Sequence, residues 1–159
     1  MRTPIVLAIW LAFLAPAFAE ETPSIAVDPA TLEFSTPPGL PTCARAAPLR
    51  GDPRTGPSVL LVKLGAGCRI PWHWHTANEQ VMFVSGSGTL EMKGEKSLHT
   101  RPGAYAFLPG HHIHRVSCSS PCTIFNVADG PFDIHYVDDV GNEIDPPRAL
   151  HPPRAKKKR

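Results

Sequence analysis

The stretch that decides the fold is GAGCRIPWHWHTANEQVMFVSG, residues 65–86. It is apolar and strand-like, yet it carries His73 and His75 one residue apart and Glu79 four residues further on. Side chains alternate between the two faces of a strand, so the two imidazoles point to the same face. Residues 76–78 allow a turn, and Glu79 opens the next strand, from which its carboxylate can fold back. The stretch therefore predicts two imidazoles and a carboxylate on one concave wall.

This combination of side chains is suited to a metal ion. Imidazole nitrogen and carboxylate oxygen are donors for a divalent transition metal such as Fe, Mn, Zn, Ni or Cu. Burying these groups without a cation would cost on the order of several kcal/mol. A fourth donor is expected from residues 103–118, GAYAFLPGHHIHRVSC, where His114 lies at the change from turn to strand and His111 and His112 lie in the turn.

The remainder of the chain reads as short strands separated by turn residues. The sequence contains 19 prolines and 12 glycines, and helical periodicity is nearly absent after the N-terminus. The strand-like runs are residues 58–64, 80–84, 89–92, 104–108, 113–118, 122–127 and 132–137. Ser85-Gly86-Ser87-Gly88 predicts a hairpin between the second and third runs. The pattern predicts an all-β antiparallel sandwich or barrel, wrapped by a proline-rich, irregular N-terminal arm.

The N-terminus has the features of a secretory signal peptide. Arg2 supplies a positive charge, residues 5–14 are the apolar run IVLAIWLAFL, and Ala17-Phe18-Ala19 forms a small-x-small cleavage signature. The alternative is a membrane anchor, but a spanning helix needs about 20 apolar residues. We therefore expect removal of residues 1–19, no membrane span afterwards, and a periplasmic or secreted mature protein.

Charge and composition place the mature chain in one domain with no nucleic-acid partner. Five of the sixteen Lys and Arg residues lie in RAKKKR, residues 154–159, after a proline-rich segment, and we expect residues 148–159 to form a disordered basic tail. Residues 20–153 carry ten basic and fourteen acidic side chains, a net charge of −4. A mildly acidic domain without a basic stripe offers nucleic acid no binding surface. Residues 20–147 are then expected to form a single domain.

The four cysteines of an exported chain favour disulfides over free thiols. Cys118 and Cys122 flank a segment that looks like a turn between two strands, so a bridge between them would cross-link the mouth of a hairpin. Cys43 would then pair with Cys68. Three pairings are possible for four cysteines, and the sequence does not choose between them. A zinc site at Cys118 and Cys122 lacks a second Cys or His pair at finger spacing.

The first histidine segment resembles the first motif of the cupin superfamily. The pattern Gly67-x5-His73-x-His75-x3-Glu79-x6-Gly86 matches that motif at every fixed position. Residues 51–53 (GDP), 71–75 (PWHWH) and 130–138 (GPFDIHYVD) resemble small, single-domain bacterial cupins. These are similar to acetylacetone-cleaving dioxygenases and to the cupin domain of zinc-binding anti-sigma factors.

The second histidine segment resembles the second cupin motif, Gly-x5-Pro-x-Gly-x2-His-x3-Asn. The chain supplies Gly103, Pro109 and His114 at three of its positions. It departs from the pattern at His111, where the family usually has glycine, and at Cys118, where it usually has asparagine. Histidine tolerates left-handed backbone better than most residues, and the asparagine is not usually a metal ligand. The departures therefore leave the metal prediction in place.

The resemblance implies a double-stranded β-helix, or jelly-roll, barrel with a metal ion inside. The implied ligands are His73, His75, Glu79 and His114. Three histidines and one glutamate leave one or two positions of an octahedral ion open, so that a small-molecule substrate or dioxygen can bind directly.

The same segments suggest residues around the metal. Val81 and Phe83 share strand parity with Glu79 and are expected to line the pocket together with Phe107 and Phe125. A histidine near a metal pocket can serve as a general acid or base, which makes His111 the candidate catalytic residue. The alternative for His111 is an ordinary exposed loop residue.

Two classes of function fit these expectations. The first is an exported metal-dependent dioxygenase that acts on a small enol, diketone or thiol. The second is a non-catalytic small-molecule-binding module with a structural metal, for which zinc would be suitable because it has no redox chemistry. A third option, an isomerase or lyase, requires a base beyond the ligands, and His111 is the local candidate. By analogy with cupins that pair through edge strands, a homodimer is also expected.

Overall fold

The computed structural model describes residues 23–151, and nearly all of its regular structure is β-strand. The predicted signal peptide, residues 1–19, lies outside the described residues. The elements in chain order are the 3-10 turn Pro29–Thr31, β1 Ala44–Gly51, β2 Ser58–Leu64, β3 Arg69–Trp74, β4 Glu79–Ser85, β5 Gly88–Met92, β6 Leu98–Thr100, β7 Tyr105–Leu108, β8 His114–Cys118, β9 Cys122–Ala128, β10 His135–Tyr136 and helix α1 Pro146–Leu150.

The strands form two five-stranded antiparallel sheets. The first sheet has the order β1-β2-β9-β4-β7, and the second has the order β10-β3-β8-β5-β6. Apolar side chains from the inner faces of both sheets pack between them, with Phe83, Leu90 and Tyr136 among the largest buried residues. The predicted all-β jelly-roll barrel is confirmed.

The hairpin predicted at Ser85-Gly86-Ser87-Gly88 does not form. β4 pairs with β7 and β9, whereas β5 pairs with β6 and β8, so this segment crosses from the first sheet to the second. Gly86 has a φ of 86°, and a Cβ there would lie 2.2 Å from the carbonyl oxygen of Pro121. The glycine permits two crossing segments to touch, which the sequence pattern does not distinguish from a tight hairpin turn.

The segment between Cys118 and Cys122 is a crossing of the same kind. It joins β8 of the second sheet to β9 of the first, so it is not the mouth of a hairpin. The Ser119 backbone amide donates to the carbonyl oxygen of Ser87 over 2.9 Å, which ties the two crossings together. The barrel is therefore closed at this end by two adjacent crossings.

The arm predicted to be irregular contains a strand. β1 forms an antiparallel ladder with β2 that runs from Ala44 opposite Leu64 to Gly51 opposite Ser58. Pro48 lies within β1, which is tolerated because β1 is an edge strand. Residues 23–43, called the arm below, precede it, and the arm is joined to the barrel at Gly39, whose carbonyl accepts a 2.8 Å hydrogen bond from the Tyr136 hydroxyl.

Residues 148–150, predicted to begin the disordered tail, are ordered in the structure. Helix α1 continues to Leu150, although residues 148–150 were assigned to the disordered tail. Ala149 is buried and packs with the core, which explains why the chain stays ordered past the two prolines. Residues 152–159 lie outside the described residues.

All four cysteines are paired, as Cys43–Cys68 and Cys118–Cys122. The sequence leaves three pairings open, and the structure contains this one. Two disulfides indicate an oxidising compartment. No helix within residues 23–151 combines the length and hydrophobicity needed to cross a membrane.

Two phenylalanines expected to line the pocket point away from it. In β7 the inward positions are Ala106 and Leu108, and Phe107 between them is 51% exposed. In β9 the residue Phe125 is likewise on the outer face and is 36% exposed. The prediction for Phe107 and Phe125 is wrong because strand parity, and not hydrophobicity, decides which side chains face the interior.

We expect Phe83→Ala to lower the free energy of unfolding by about 3–5 kcal/mol, because it leaves a cavity in a packed core. Phe83 is 2% exposed. Phe107→Ala is the matched control and should cost less than about 1 kcal/mol, as is usual for exposed positions. Urea denaturation followed by tryptophan fluorescence measures both. Equal losses in the two variants would contradict the assigned inner and outer faces.

Candidate metal centre

Three buried histidines meet inside the barrel. His73 in β3 lies directly opposite His114, the first residue of β8. His75 follows β3 by one residue, and by strand parity it points to the same side as His73. The ring centroids of His73 and His114 are 4.2 Å apart and those of His73 and His75 are 4.8 Å apart. Each imidazole offers one ligand atom, and these three atoms lie within 4.8 Å of one another.

Each imidazole is oriented by a hydrogen bond between its Nδ1 and a backbone carbonyl. The pairs are His73 with Pro71 at 2.6 Å, His114 with His112 at 2.8 Å, and His75 with Asp133. A carbonyl only accepts, so Nδ1 carries the proton of this hydrogen bond, and Nε2 is the nitrogen that faces the barrel interior. Metal-binding histidines in proteins are held by outer hydrogen bonds of this kind.

Glu79 completes the cluster from the first residue of β4. Its Oε2 lies 3.3 Å from Nε2 of His75 and 3.5 Å from Nε2 of His114. Its other oxygen, Oε1, accepts a 2.6 Å hydrogen bond from the amide Nδ2 of Asn126. The carboxylate is thereby held with one oxygen facing the imidazoles and the other facing away from them.

Asn126 and Asp133 belong to the site but were not predicted from the sequence. Asn126 lies at an inward position of β9, where the run CTIFNV has a single amide among mostly apolar residues. That lone polar residue at an inward strand position was the available signal. Asp133 contributes its carbonyl to His75, and its carboxylate accepts the backbone amide of Thr76 over 2.8 Å. The identity of a residue does not indicate that its backbone carbonyl will accept such a hydrogen bond.

Burial and the neighbouring groups set the charge of the cluster. Burial is the largest influence on His73 and lowers its pKa well below the ordinary value of 6.5, and His114 and His75 lower it further. Burial alone would raise the pKa of Glu79, but His75, His114 and the Asn126 hydrogen bond outweigh it and bring the pKa to about 2. The site therefore has a neutral His73 and an ionised carboxylate at neutral pH.

This donor set fits a divalent transition metal. Three imidazole nitrogens and a carboxylate oxygen are borderline donors of the type such ions prefer. A buried carboxylate without a full counter-charge is costly, and a cation at the centre of the cluster would supply that charge. The four residues that would hold it are those predicted from the two motifs.

A small cavity of about 80 Å³ adjoins the cluster. All four donors and Asn126 face it, and the rest of its wall is apolar, with Val81, Leu60 and Ile124 among its residues. Val81 lies where the sequence predicted it. Phe83 also points inward but packs in the core and does not line this cavity.

His111 lies outside the barrel. Its ring stacks on Trp74 with centroids 4.5 Å apart and planes 15° apart, and Trp74 alternates with the inward-facing His73 and His75. The backbone of His111 has a φ of 65°, as expected for a residue that replaces the motif glycine. The prediction that the His111 side chain reaches the site is wrong, because the Trp74 stack holds the ring on the outer face.

The fold and the site together define a small jelly-roll barrel with a buried cluster of three histidines and one glutamate. The sequence model of Cupin_2, described as "Cupin domain", matches residues 60–128, a range that includes all four donors. The chain belongs to the cupin superfamily. No curated protein sequence matches it.

Solved structures agree with the fold. An RmlC-like cupin from Ralstonia eutropha JMP134 is 22% identical with a TM-score of 0.59, and the match covers 75% of each chain. The polyketide cyclase RemF from Streptomyces resistomycificus is 17% identical with a TM-score of 0.62, over 77% of this chain and 89% of that one. A chain from a study of the DMSP lyases RdDddP and RnDddQII is 19% identical with a TM-score of 0.57, over 67% of this chain. The match spans 63% of that lyase structure's length.

We expect the free energy of unfolding of the metal-free protein to fall as the pH drops below about 6.5. His73 stays neutral in the folded state, whereas the unfolded chain takes up a proton below that pH, so protonation favours unfolding. Glu79 adds a second loss between its ordinary pKa of 4.5 and its folded value of about 2. Urea denaturation at a series of pH values measures the profile.

His73→Leu should flatten the decline between pH 6.5 and 4.5, the ordinary pKa values of the two groups. His99→Gln is the matched control because His99 is exposed in β6, and it should keep the parent profile. An unchanged decline in His73→Leu would contradict the role given to His73.

Proposed function

We propose that the protein is an exported, metal-dependent cupin dioxygenase that acts on a small enol, diketone or thiol. The observation that carries the proposal is the buried set of four donors, held in place and open toward a small apolar cavity. The two disulfides support the export part of the proposal, with the periplasm or the medium as the location.

The polar groups that face the cavity support this reaction class. Among the described residues these groups are the four donors and Asn126. An isomerase or lyase needs a separate base, and the ring of His111, the candidate for that role, stacks on the outer face. A redox-active metal held by His73, His75, Glu79 and His114 would supply electron-transfer and Lewis-acid chemistry, and this chemistry would place less demand on additional side chains.

The protein's own groups have three tasks in this proposal. The carbonyl hydrogen bonds keep the histidine Nε2 atoms directed inward, and Asn126 keeps Oε2 of Glu79 directed at the imidazoles. The apolar wall around Val81 and Leu60 removes water from the substrate and strengthens its electrostatic contacts. The small volume restricts the part of the substrate beside the donors to a few atoms.

A binding module with a structural zinc is the second candidate. Its support is the same donor set, which zinc can also use. The metal content of protein purified from its native export route separates the two candidates, because iron, manganese, nickel or copper supports oxygen chemistry and zinc supports binding.

We expect the metal-free protein to bind one Co²⁺ or Mn²⁺ ion. Loss of a donor should weaken binding more than loss of Asn126, which only orients a donor. His114→Ala should weaken binding by more than about 100-fold. Asn126→Ala should weaken it by about 10–100-fold, the usual effect of losing a group that orients a ligand. Isothermal titration calorimetry measures both affinities.

The matched control for the metal titration is His99→Ala, since His99 is an exposed histidine of the second sheet. It should bind the metal as tightly as the parent protein. Parent-like affinity in a folded His114→Ala variant would contradict the assignment of the site.

Iron-loaded protein should consume dioxygen in the presence of at least one substrate from a panel of acetylacetone, quercetin and cysteine. An oxygen electrode measures uptake, and mass spectrometry identifies the cleaved product of the diketone or flavonol, or the sulfur-oxygenated product of cysteine. His114→Ala should abolish the uptake, because it removes a donor. Flat traces across the panel, together with zinc in the natively exported protein, would favour the binding module.

A further inference from the structure

A second and much larger space lies next to the metal cavity. It has a volume of about 950 Å³ and lies between the arm at Pro37 and Pro38, the loop of residues 51–54 after β1, and the segment of residues 132–134 before β10. We call it the vestibule.

The vestibule and the metal cavity share part of their walls. The shared residues are Pro37, Ala46, Leu60 and Phe132. Ala46 and Leu60 belong to the inner faces of β1 and β2, so both spaces lie on the same face of the first sheet. Phe132 lies at the junction between the two spaces, and its ring centroid is 5.5 Å from that of His75. A ligand that fills both spaces would pass Phe132.

The walls of the vestibule are held in place from both sides. Ser35 of the arm and Ala46 of β1 exchange two backbone hydrogen bonds, 2.8 and 3.0 Å long. The Tyr136 hydroxyl donates to the carbonyl of Gly39, and the Cys43–Cys68 disulfide fixes the end of the arm. The space is therefore part of the folded structure and does not require the arm to move.

The charged groups at the vestibule already have partners. The Arg54 guanidinium donates to both carboxylate oxygens of Asp52, with Nη2 at 2.7 Å and Nε at 3.0 Å. The carboxylate of Asp133 accepts the Thr76 amide and lies 3.4 Å from Nε2 of His135. A charged ligand would have to compete with these pairs, whereas prolines, Leu60 and Ile134 offer apolar contact.

We propose that the vestibule binds the uncharged, apolar body of the substrate, whose small chelating head group occupies the metal cavity. This inference rests on the proposed function and narrows its substrate class to enols or diketones with an alkyl or aryl substituent. A sugar acid or another strongly charged molecule would lose hydration against these walls without gaining a counter-charge.

Alkyl hydroxamic acids test the metal cavity and the vestibule separately. The hydroxamate head chelates a metal through two oxygens, and the alkyl chain can be lengthened. Acetohydroxamic, hexanohydroxamic and octanohydroxamic acids are titrated by calorimetry into the protein with and without Co²⁺. We expect cobalt to tighten binding of all three. Each added methylene should tighten it by about two- to fourfold, with or without metal.

The comparison with and without metal separates this inference from the proposed function. Equal affinities in the two states, with the chain-length dependence kept, would overturn the metal role and support the vestibule. Tighter binding with cobalt but no dependence on chain length would overturn the vestibule and leave the metal role intact. Suberic monohydroxamic acid, which ends in a carboxylate, should bind at least about tenfold more weakly than the octanoyl compound, and equal binding would overturn the preference for an uncharged body.

Two variants test whether the alkyl chain of the hydroxamic acid lies in the vestibule. Ile134→Ala and Pro38→Ser change residues that line the vestibule but not the metal cavity. Each should reduce the gain from the acetyl to the octanoyl compound by at least about threefold and leave the acetyl affinity unchanged. Val84→Ala removes an equally aliphatic but 46% exposed side chain of β4 and should change nothing. Parent-like chain-length dependence in both vestibule variants would overturn the proposal.

Discussion

The cross-strand pair of His73 and His114 is the contact on which the site depends. The two residues are 41 positions apart in the chain, and the β3–β8 ladder places them opposite each other with rings 4.2 Å apart. His75 and Glu79 then need only the local alternation of β3 and the turn that follows it. A change of one residue in this register would move His114 to the other face of the second sheet, and the cluster would lose a donor.

Much of the site could be predicted because its donors lie in short segments with fixed spacing. The spacing from His73 to Glu79 is local, and strand alternation with one turn determines it. His114 came from the resemblance of a second segment. Asn126 and the carbonyl of Asp133 could not be predicted, since the first depends on which neighbour β4 pairs with and the second is a backbone group.

The two wrong hairpin predictions have one physical origin. Gly86 and the residues around Pro121 look like hairpin turns, but they carry the chain between two sheets that pack face to face. Short-range patterns report that a strand ends and not which sheet the next strand joins. Phe107 and Phe125 were misplaced for a related reason, because large apolar residues also occur on the outer face of the first sheet.

Cys118 stands where the second cupin motif usually has asparagine, yet the four predicted metal ligands still come together. Cys118 ends β8, and Cys68 immediately precedes β3, so both cysteines stand at the end of the ladder opposite to His73 and His114. The Cys118 amide donates to the carbonyl of Cys68 over 2.9 Å, and each cysteine is also bridged to another segment. One bridge fixes the end of the arm and the other fixes the crossing to β9. Each of the two strands that carry imidazoles is thus bridged at this end to a neighbouring segment. The Cys118–Cys68 backbone hydrogen bond joins the two strands there in the register that places the donors together at the other end.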